Sequence, residues 1–136
     1  MSWAESLIKI AAFEVEVRQK RLADIVERRM GLETQLAVLH AEGEAEAKHA
    51  SLNAEAGWYH IGYADGLRIR KAALEAEIKA IGFEEQGARD ALAQAFEEQK
   101  KYEHVAESAR VAAVKETAKR ETTALDELGL RKTTGR

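Results

Sequence analysis

Hydrophobic residues recur at steps of three and four along two long stretches of the chain, with charged residues beside them. Eight of ten positions are apolar in the first stretch and twelve of fifteen in the second. The first ten are Ile8, Ala11, Val15, Arg18, Leu22, Ile25, Arg29, Leu32, Leu36 and Leu39. The second fifteen are Ala64, Leu67, Lys71, Leu74, Ile78, Ile81, Glu85, Ala88, Leu92, Ala95, Gln99, Tyr102, Ala106, Ala109 and Ala113. This heptad pattern is typical of helices that pack side by side, and we call each run a seam.

Between the seams lies the only good place for a turn. Ser51 and Asn53 can hydrogen-bond to nearby backbone, and Gly57 can adopt the left-handed conformation that ends a helix. We therefore expect an all-α fold, an antiparallel two-helix coiled-coil hairpin in a single domain of residues 1–136. Its predicted elements are a first helix over about 4–50, a turn over about 51–58, a second helix over about 59–127 and a short C-terminal tail over 128–136.

The second helix is predicted to be longer than the first. A hairpin folded about residue 54 places Ile8 opposite Lys100, so the chain after about Glu107 overhangs at the C-terminal end. This overhang is rich in alanine and then gains three leucines. An apolar stripe without an internal partner is either a frayed end or a surface for another molecule.

Composition supports this fold and narrows the function. Proline is absent, so no residue forces a helix to end, and Ala, Glu, Leu, Lys and Arg predominate, as in long helices. Cysteine is also absent, which excludes disulfides and thiolate sites. No signal peptide or bilayer-length apolar run is found. We therefore expect a soluble, cytoplasmic protein without membrane insertion.

Candidate chemistry is sparse. The Glu46-x-x-His49 spacing matches one ligand pair of a di-iron bundle, but such a site needs two copies and further glutamates. The chain has no phosphate loop, no nucleophile elbow and no His-Glu-x-x-His motif. The adjacent glutamates Glu84 and Glu85 point to different sides of a helix and are interpreted as solvated charges. We expect no catalytic residues, no metal and no cofactor, and hence no enzyme.

Basic clusters raise a nucleic-acid-binding arm as a rival function. The clusters are Arg18–Arg21, Arg28–Arg29, Arg68–Lys71 and Lys119–Arg120. Glutamates lie within a turn or two of each cluster, the net charge is −3, and no continuous basic stripe appears. No nucleic-acid partner is therefore expected.

The stretch "AGWYHIGYADG" gathers aromatic residues and glycines near the predicted turn. One interpretation packs Tyr59 and Tyr63 over the hairpin end, with Trp58 in a hydrophobic staple of the second helix. The other makes part of the cluster a docking surface. Since the end of a two-helix hairpin has almost no interior, we expect Tyr63 to pack inward beside Leu67, with Trp58 and Tyr59 at least partly exposed.

Three blocks of the chain resemble the FliJ family, the coiled-coil component of the bacterial flagellar type III export apparatus, in its alphaproteobacterial form. The first block is "LIKIAAFEVEVRQKRLADI" (7–25), and the second is "YHIGYADGLRIRKAALEAEIKAI" (59–81). The third is "LAQAFEEQKKYE" (92–103) with "RETTALDELGLRK" (120–132). Together they run in order over nearly the full length.

The resemblance implies a fold, a location and a set of partners. Members fold as a hairpin similar to the central stalk of rotary ATPases and associate with the hexameric export ATPase FliI. They also contact the cytoplasmic domain of the export gate FlhA and are implicated in handling export chaperones. The resemblance therefore implies a non-enzymatic cytoplasmic protein, peripherally associated with the membrane-embedded apparatus, that couples ATPase to gate. Alternatives are an injectisome-type stalk or a chaperone for secreted subunits.

Two groups of residues are candidates for partner contacts on this basis. The gate-facing candidates at the hairpin tip are Trp58, Tyr59, Arg68 and Arg70. The ATPase-facing candidates at the opposite end are Trp3, Leu125, Leu128, Leu130 and Arg131.

Overall fold

The computed structural model describes residues 3–134 as two helices. α1 spans Trp3–Ala50 (48 residues) and α2 spans Ala54–Thr134 (81 residues). No strand occurs within this range. Arg28 of α1 contacts Glu84 of α2, whereas His40, which comes later in α1, contacts Lys71, which comes earlier in α2. The helices are thus antiparallel, and the predicted all-α helical hairpin is confirmed.

The turn is short because Asn53 starts the second helix. Residues 51–53 separate the helices, and the Asn53 Oδ1 accepts a hydrogen bond from the Glu55 N–H at 2.9 Å. This is the geometry of an N-cap, which satisfies an otherwise unpaired donor of the first turn. On the other side, the Ser51 hydroxyl donates to the Lys48 carbonyl at 2.7 Å.

Three local expectations were wrong. α2 begins at Ala54 rather than about residue 59, and Gly57 lies inside it, where its N–H donates to the Asn53 carbonyl at 2.9 Å. No described residue has a positive φ, so the left-handed Gly57 is absent. At the other end α2 continues to Thr134, so 128–134 is helix rather than tail. Residues 135–136 of the predicted tail lie outside the described range.

The chain divides into two compact units, one of residues 16–93 and one formed by residues up to Val15 with those from Gln94 onward. In the unit 16–93 the core consists of Ile25, Ile81 and Ala88, with Leu22 and Leu32 packed against it. All five are seam positions, so the heptad pattern located the core. The assignment of the whole chain to a single domain stays a prediction.

Two polar residues interrupt the seams and meet each other, so the interpretation of Glu85 as a solvated charge was wrong. Arg29 of α1 donates from Nε to the Glu85 Oε1 at 3.2 Å, and their side chains are only 26% and 13% exposed. The Arg29 Nη1 also contacts Glu33, and Arg89 contacts Glu85. A paired charge inside an apolar seam is satisfied in only one register, so this pair fixes the alignment of the helices.

Gly43 of α1 is buried in the unit 16–93, although the seam was expected to fade there. A Cβ built on Gly43 would collide with the Cδ2 of Leu67. Leu67 is itself buried and lies against the α1 backbone. The seam therefore continues toward the turn with a glycine as the hole and a leucine as the knob.

In the other unit the buried side chains are small. They are Ala4, Ala11, Val15 and Ala95. Every described residue from 107 to 133 is exposed, which confirms that α2 overhangs after about Glu107. No described side chain of this segment is buried.

Candidate interaction surfaces

The hairpin tip carries the aromatic cluster on the first three turns of α2. Trp58 and Tyr59 are exposed, whereas Tyr63 is half-buried. The Trp58 and Tyr59 rings meet edge to face, with centroids 4.9 Å apart and planes at 80°. Trp58 and Tyr59 are thus exposed as expected, while a docking role for them stays a prediction. Trp58 does not form a buried staple.

Arginines extend this cluster along α2. The Arg70 guanidinium lies 6.0 Å from the centroid of the Tyr63 ring, at the outer limit of a cation–π contact. Arg68 is exposed and approaches Asp65 at 3.7 Å. The four candidate residues Trp58, Tyr59, Arg68 and Arg70 are thus individually exposed within the first five turns of α2, and exposed aromatic and arginine side chains are common anchors of protein interfaces. Their role in gate binding stays a prediction.

The ATPase-facing candidates are exposed but do not form one patch. Trp3, Leu125, Leu128, Leu130 and Arg131 are all exposed. Leu130 follows Leu128 by two residues and Leu125 by five, so it lies on a different side of the helix.

The overhang carries a heptad stripe that sequence reasoning missed. Its positions follow one another at steps of three and four, namely Val111, Val114, Ala118, Glu121, Leu125 and Leu128. The residues are exposed. The two valines of the overhang thus lie on the same side of the helix as Leu125 and Leu128. The steps of three and four that show this can be counted in the sequence.

One ion pair shows the electrostatics of the overhang. The Arg110 Nη2 donates to Glu107 at 2.6 Å and its Nε at 3.1 Å. These hydrogen bonds lower the pKa of Glu107 and raise that of Arg110. In the unit 16–93, hydrogen bonds to Glu33 and Glu85 likewise raise the pKa of Arg29. Each shift is explained by pairing within the protein rather than by a buried reactive group.

The histidines do not assemble a metal site. No group of three His, Cys, Asp or Glu residues suited to a metal occurs among the described residues, and His49 and His104 are exposed. His40 and His60 line a cleft of about 500 Å³ near the turn. The Lys71 ammonium donates to the His40 Nδ1 at 3.1 Å, and the His40 Nε2 lies 3.1 Å from Glu44. The His60 Nδ1 is buried without a hydrogen-bond partner.

Neither described helix contains a segment that is long and apolar enough to cross a membrane. The prominent surface features of residues 3–134 are instead exposed aromatic, aliphatic and arginine side chains on two helices. The fold defines the chain as an all-α helical hairpin.

Comparison with known proteins gives the family. The "Flagellar FliJ protein" of two Caulobacter vibrioides strains is 52% identical to this chain over 130 residues, which cover 96% of this chain and 94% of the relative. The chain belongs to the flagellar FliJ family. No family model matches it, and no solved structure does.

Proposed function

We propose that this protein is a non-enzymatic component of the flagellar type III export apparatus, a stalk-like coiled coil that couples the export ATPase to the export gate. The observation that carries the proposal is identity of 52% to a flagellar FliJ protein over 96% of the chain. The hairpin fold supports it, because a stalk requires long paired helices. We place its action on the cytoplasmic side of the apparatus, with export chaperones as further partners.

The overhang is the proposed ATPase-facing end. Its described residues are exposed, so deleting them leaves the hairpin core intact. A loss of binding in the shortened chain can then be told apart from a loss of folding. A chain ending at Lys115 is expected to keep the helicity of the hairpin and to lose binding to the FliI-like ATPase of the same organism. If the shortened chain still binds the ATPase, this assignment of the overhang is wrong.

The tip is the proposed gate-facing end. Trp58→Ala with Arg68→Ala removes two exposed anchors and is expected to weaken binding to the FlhA-like cytoplasmic domain while ATPase binding persists. Conversely, the chain ending at Lys115 should retain gate binding. The two variants therefore act as controls for each other, and loss of both activities in either variant would contradict the assignment of separate ends.

The first test is titration of the full chain into the export ATPase, with binding and steady-state ATP hydrolysis followed together. Binding that changes the hydrolysis rate or ring assembly supports the coupling role. Absence of binding, in a sample whose circular dichroism shows full helicity, would overturn it. The injectisome and secretion-chaperone alternatives would then need their own partners tested.

A further inference from the structure

A second heptad stripe runs along α2 on a side that α1 does not cover. Its members follow one another at steps of four and three without a charged residue, and we call them the outer stripe. They are Gly62, Gly66, Ile69, Ala73, Ala76, Ala80, Phe83 and Gly87. Four of them precede a seam residue by one position, as Ala80 precedes Ile81, and the other four precede one by two positions. The outer stripe is therefore rotated by roughly 150° from the seam.

The outer stripe faces solvent in the unit 16–93. Ile69 is 63% and Phe83 71% exposed, and every other member is exposed except Gly66, which is half-buried. The eight uncharged members of the outer stripe span residues 62–87, which extends ~38 Å along the helix. Single exposed apolar residues are ordinary, but a continuous row at heptad spacing is the pattern of a helix interface.

The glycines of the outer stripe have no explanation within the chain. A Cβ built on Gly62, Gly66 or Gly87 meets nothing within 4 Å, and none of the three has a positive φ. Glycine inside a helix weakens it relative to alanine. The absence of a side chain at these positions leaves room for another helix to approach the outer stripe closely.

We propose that the outer stripe binds the outer stripe of a second copy of this chain, with the two α2 helices antiparallel. The stripe is complementary to itself when it is reversed. Phe83 then lies opposite Gly66 and Ile69 opposite Ala80, so each large side chain meets a small one. The remaining layers pair Ala73 with Ala76 and Gly62 with Gly87, and all eight positions find a partner within the stripe.

The charges beside the outer stripe fit the same arrangement. Arg70 follows Ile69 and Glu77 follows Ala76, so both occupy positions that flank an antiparallel interface. In the register above, Arg70 of one copy faces Glu77 of the other, twice by symmetry. Both side chains belong to exposed residues. Such a self-complementary patch is what a twofold dimer requires.

A groove beside Ala80 gives the second copy additional contact. It has a volume of about 610 Å³, and the apolar residues Leu32 and Ile81 line it with Gly31 and Ala80. Arg28, Gln35, Glu77 and Glu84 line it as well. Since Ile69 of the second copy lies opposite Ala80, its side chain is placed next to this groove. The result is a four-helix arrangement with both copies of α1 on the outside.

Sedimentation over micromolar to millimolar concentrations tests the association. We expect a monomer–dimer equilibrium, and a monomer at every concentration would overturn the proposal. Ala76→Glu places a charge at the centre of the stripe and should raise the dimer dissociation constant by about tenfold or more. Ala93→Glu, the same change at an exposed alanine beyond the stripe, should leave it unaltered. Equal effects of the two variants would also overturn the proposal.

Charge exchange tests the register. Arg70→Glu and Glu77→Arg should each weaken the dimer several-fold, because each creates like-charge pairs across the interface. The double variant exchanges the charges and should restore association to near that of the natural chain. A double variant as weak as the two single changes combined would exclude this register.

Disulfide formation tests the orientation, because the chain has no cysteine of its own. Gly62→Cys and Gly87→Cys chains should cross-link efficiently when mixed and oxidised, since the two positions lie in one layer of the antiparallel pair. Neither chain should cross-link alone, because like positions are ~37 Å apart. Cross-linking of either chain with itself would indicate a parallel pair. Circular dichroism on each variant checks that the hairpin remains folded.

Discussion

Gly43 shows how one missing side chain lets two helices approach. Leu67 occupies the space where a β-carbon of Gly43 would stand, and dispersion contacts with the backbone replace those lost with the side chain. Sequence reasoning treated Gly43 as the point where the seam fades, because a glycine contributes nothing to an apolar count. Only the position of Leu67 shows that the glycine belongs to the core.

Gly43→Ala should stabilise the fold less than Gly82→Ala does, or should destabilise it. A Cβ at Gly82 meets nothing within 4 Å, so Gly82→Ala should raise the free energy of unfolding by about 0.5–1 kcal/mol. Gly43→Ala gains the same helix propensity but displaces Leu67, which costs about 1–3 kcal/mol. Urea unfolding of both variants at equal concentration measures the difference. An equal gain at the two sites would show that Leu67 does not depend on Gly43.

Glu107 and Arg110 give a residue-scale prediction for pH. Because the pKa of Glu107 is lowered in the folded helix, the pair stabilises the helix above the ordinary glutamate pKa of about 4.3. This contribution is lost as the pH falls through the lowered pKa of the folded state. Arg110→Gln should raise the pKa of Glu107 toward its ordinary value, as followed by NMR of the carboxyl carbon. Lys119→Gln, about three helical turns from Glu107, should leave the titration of Glu107 unchanged.

At the scale of elements, the heptad pattern predicted which faces of the helices meet but not where α2 begins. Ser51, Asn53 and Gly57 all have turn chemistry, and the sequence does not rank them. The structure assigns the decisive role to the Asn53 cap, which lets Gly57 enter the helix. Likewise, the seams showed Arg29 and Glu85 only as interruptions, because pairing between distant positions depends on the register.

Asn53→Ala is expected to lower the free energy of unfolding by about 1 kcal/mol, because it removes the acceptor for the Glu55 N–H. Leu52→Ala serves as the matched control, since Leu52 is 82% exposed and its side chain packs little. Thermal unfolding followed by circular dichroism compares the two. A loss of stability at Leu52 as large as that at Asn53 would mean that the turn is held by packing rather than by the cap.

For the whole molecule, the seams predicted both the hairpin core and the segment left without packing. The candidate partner residues were found only as exposed side chains of suitable type, because a docking surface is defined by a partner that the chain does not contain. Trp3 and the leucines of the overhang were grouped by their nearness to the two chain ends. On α2, Leu130 lies on a different side of the helix from Leu125 and Leu128, which a list of exposed residues does not show.

Hydrogen exchange should divide the molecule at about residue 107. Amides of 107–133 belong to a helix whose residues are all exposed, and a helix with little tertiary packing is marginally stable. They should exchange orders of magnitude faster than amides near Ile25 and Ile81, which open with the hairpin core. Mass spectrometry of the deuterated full chain gives both rates in one sample. Equal protection of the two regions would show that the overhang is covered in solution.

The outer stripe also affects how the chain finds its fold. α2 offers two heptad faces, and during synthesis α1 is complete before either face emerges, so both faces compete for it. The seam wins this competition because leucine and isoleucine remove far more apolar surface from water than glycine and alanine do. Replacing the small residues of the outer stripe with larger ones would therefore create a kinetic trap, in which α1 pairs with the wrong side of α2.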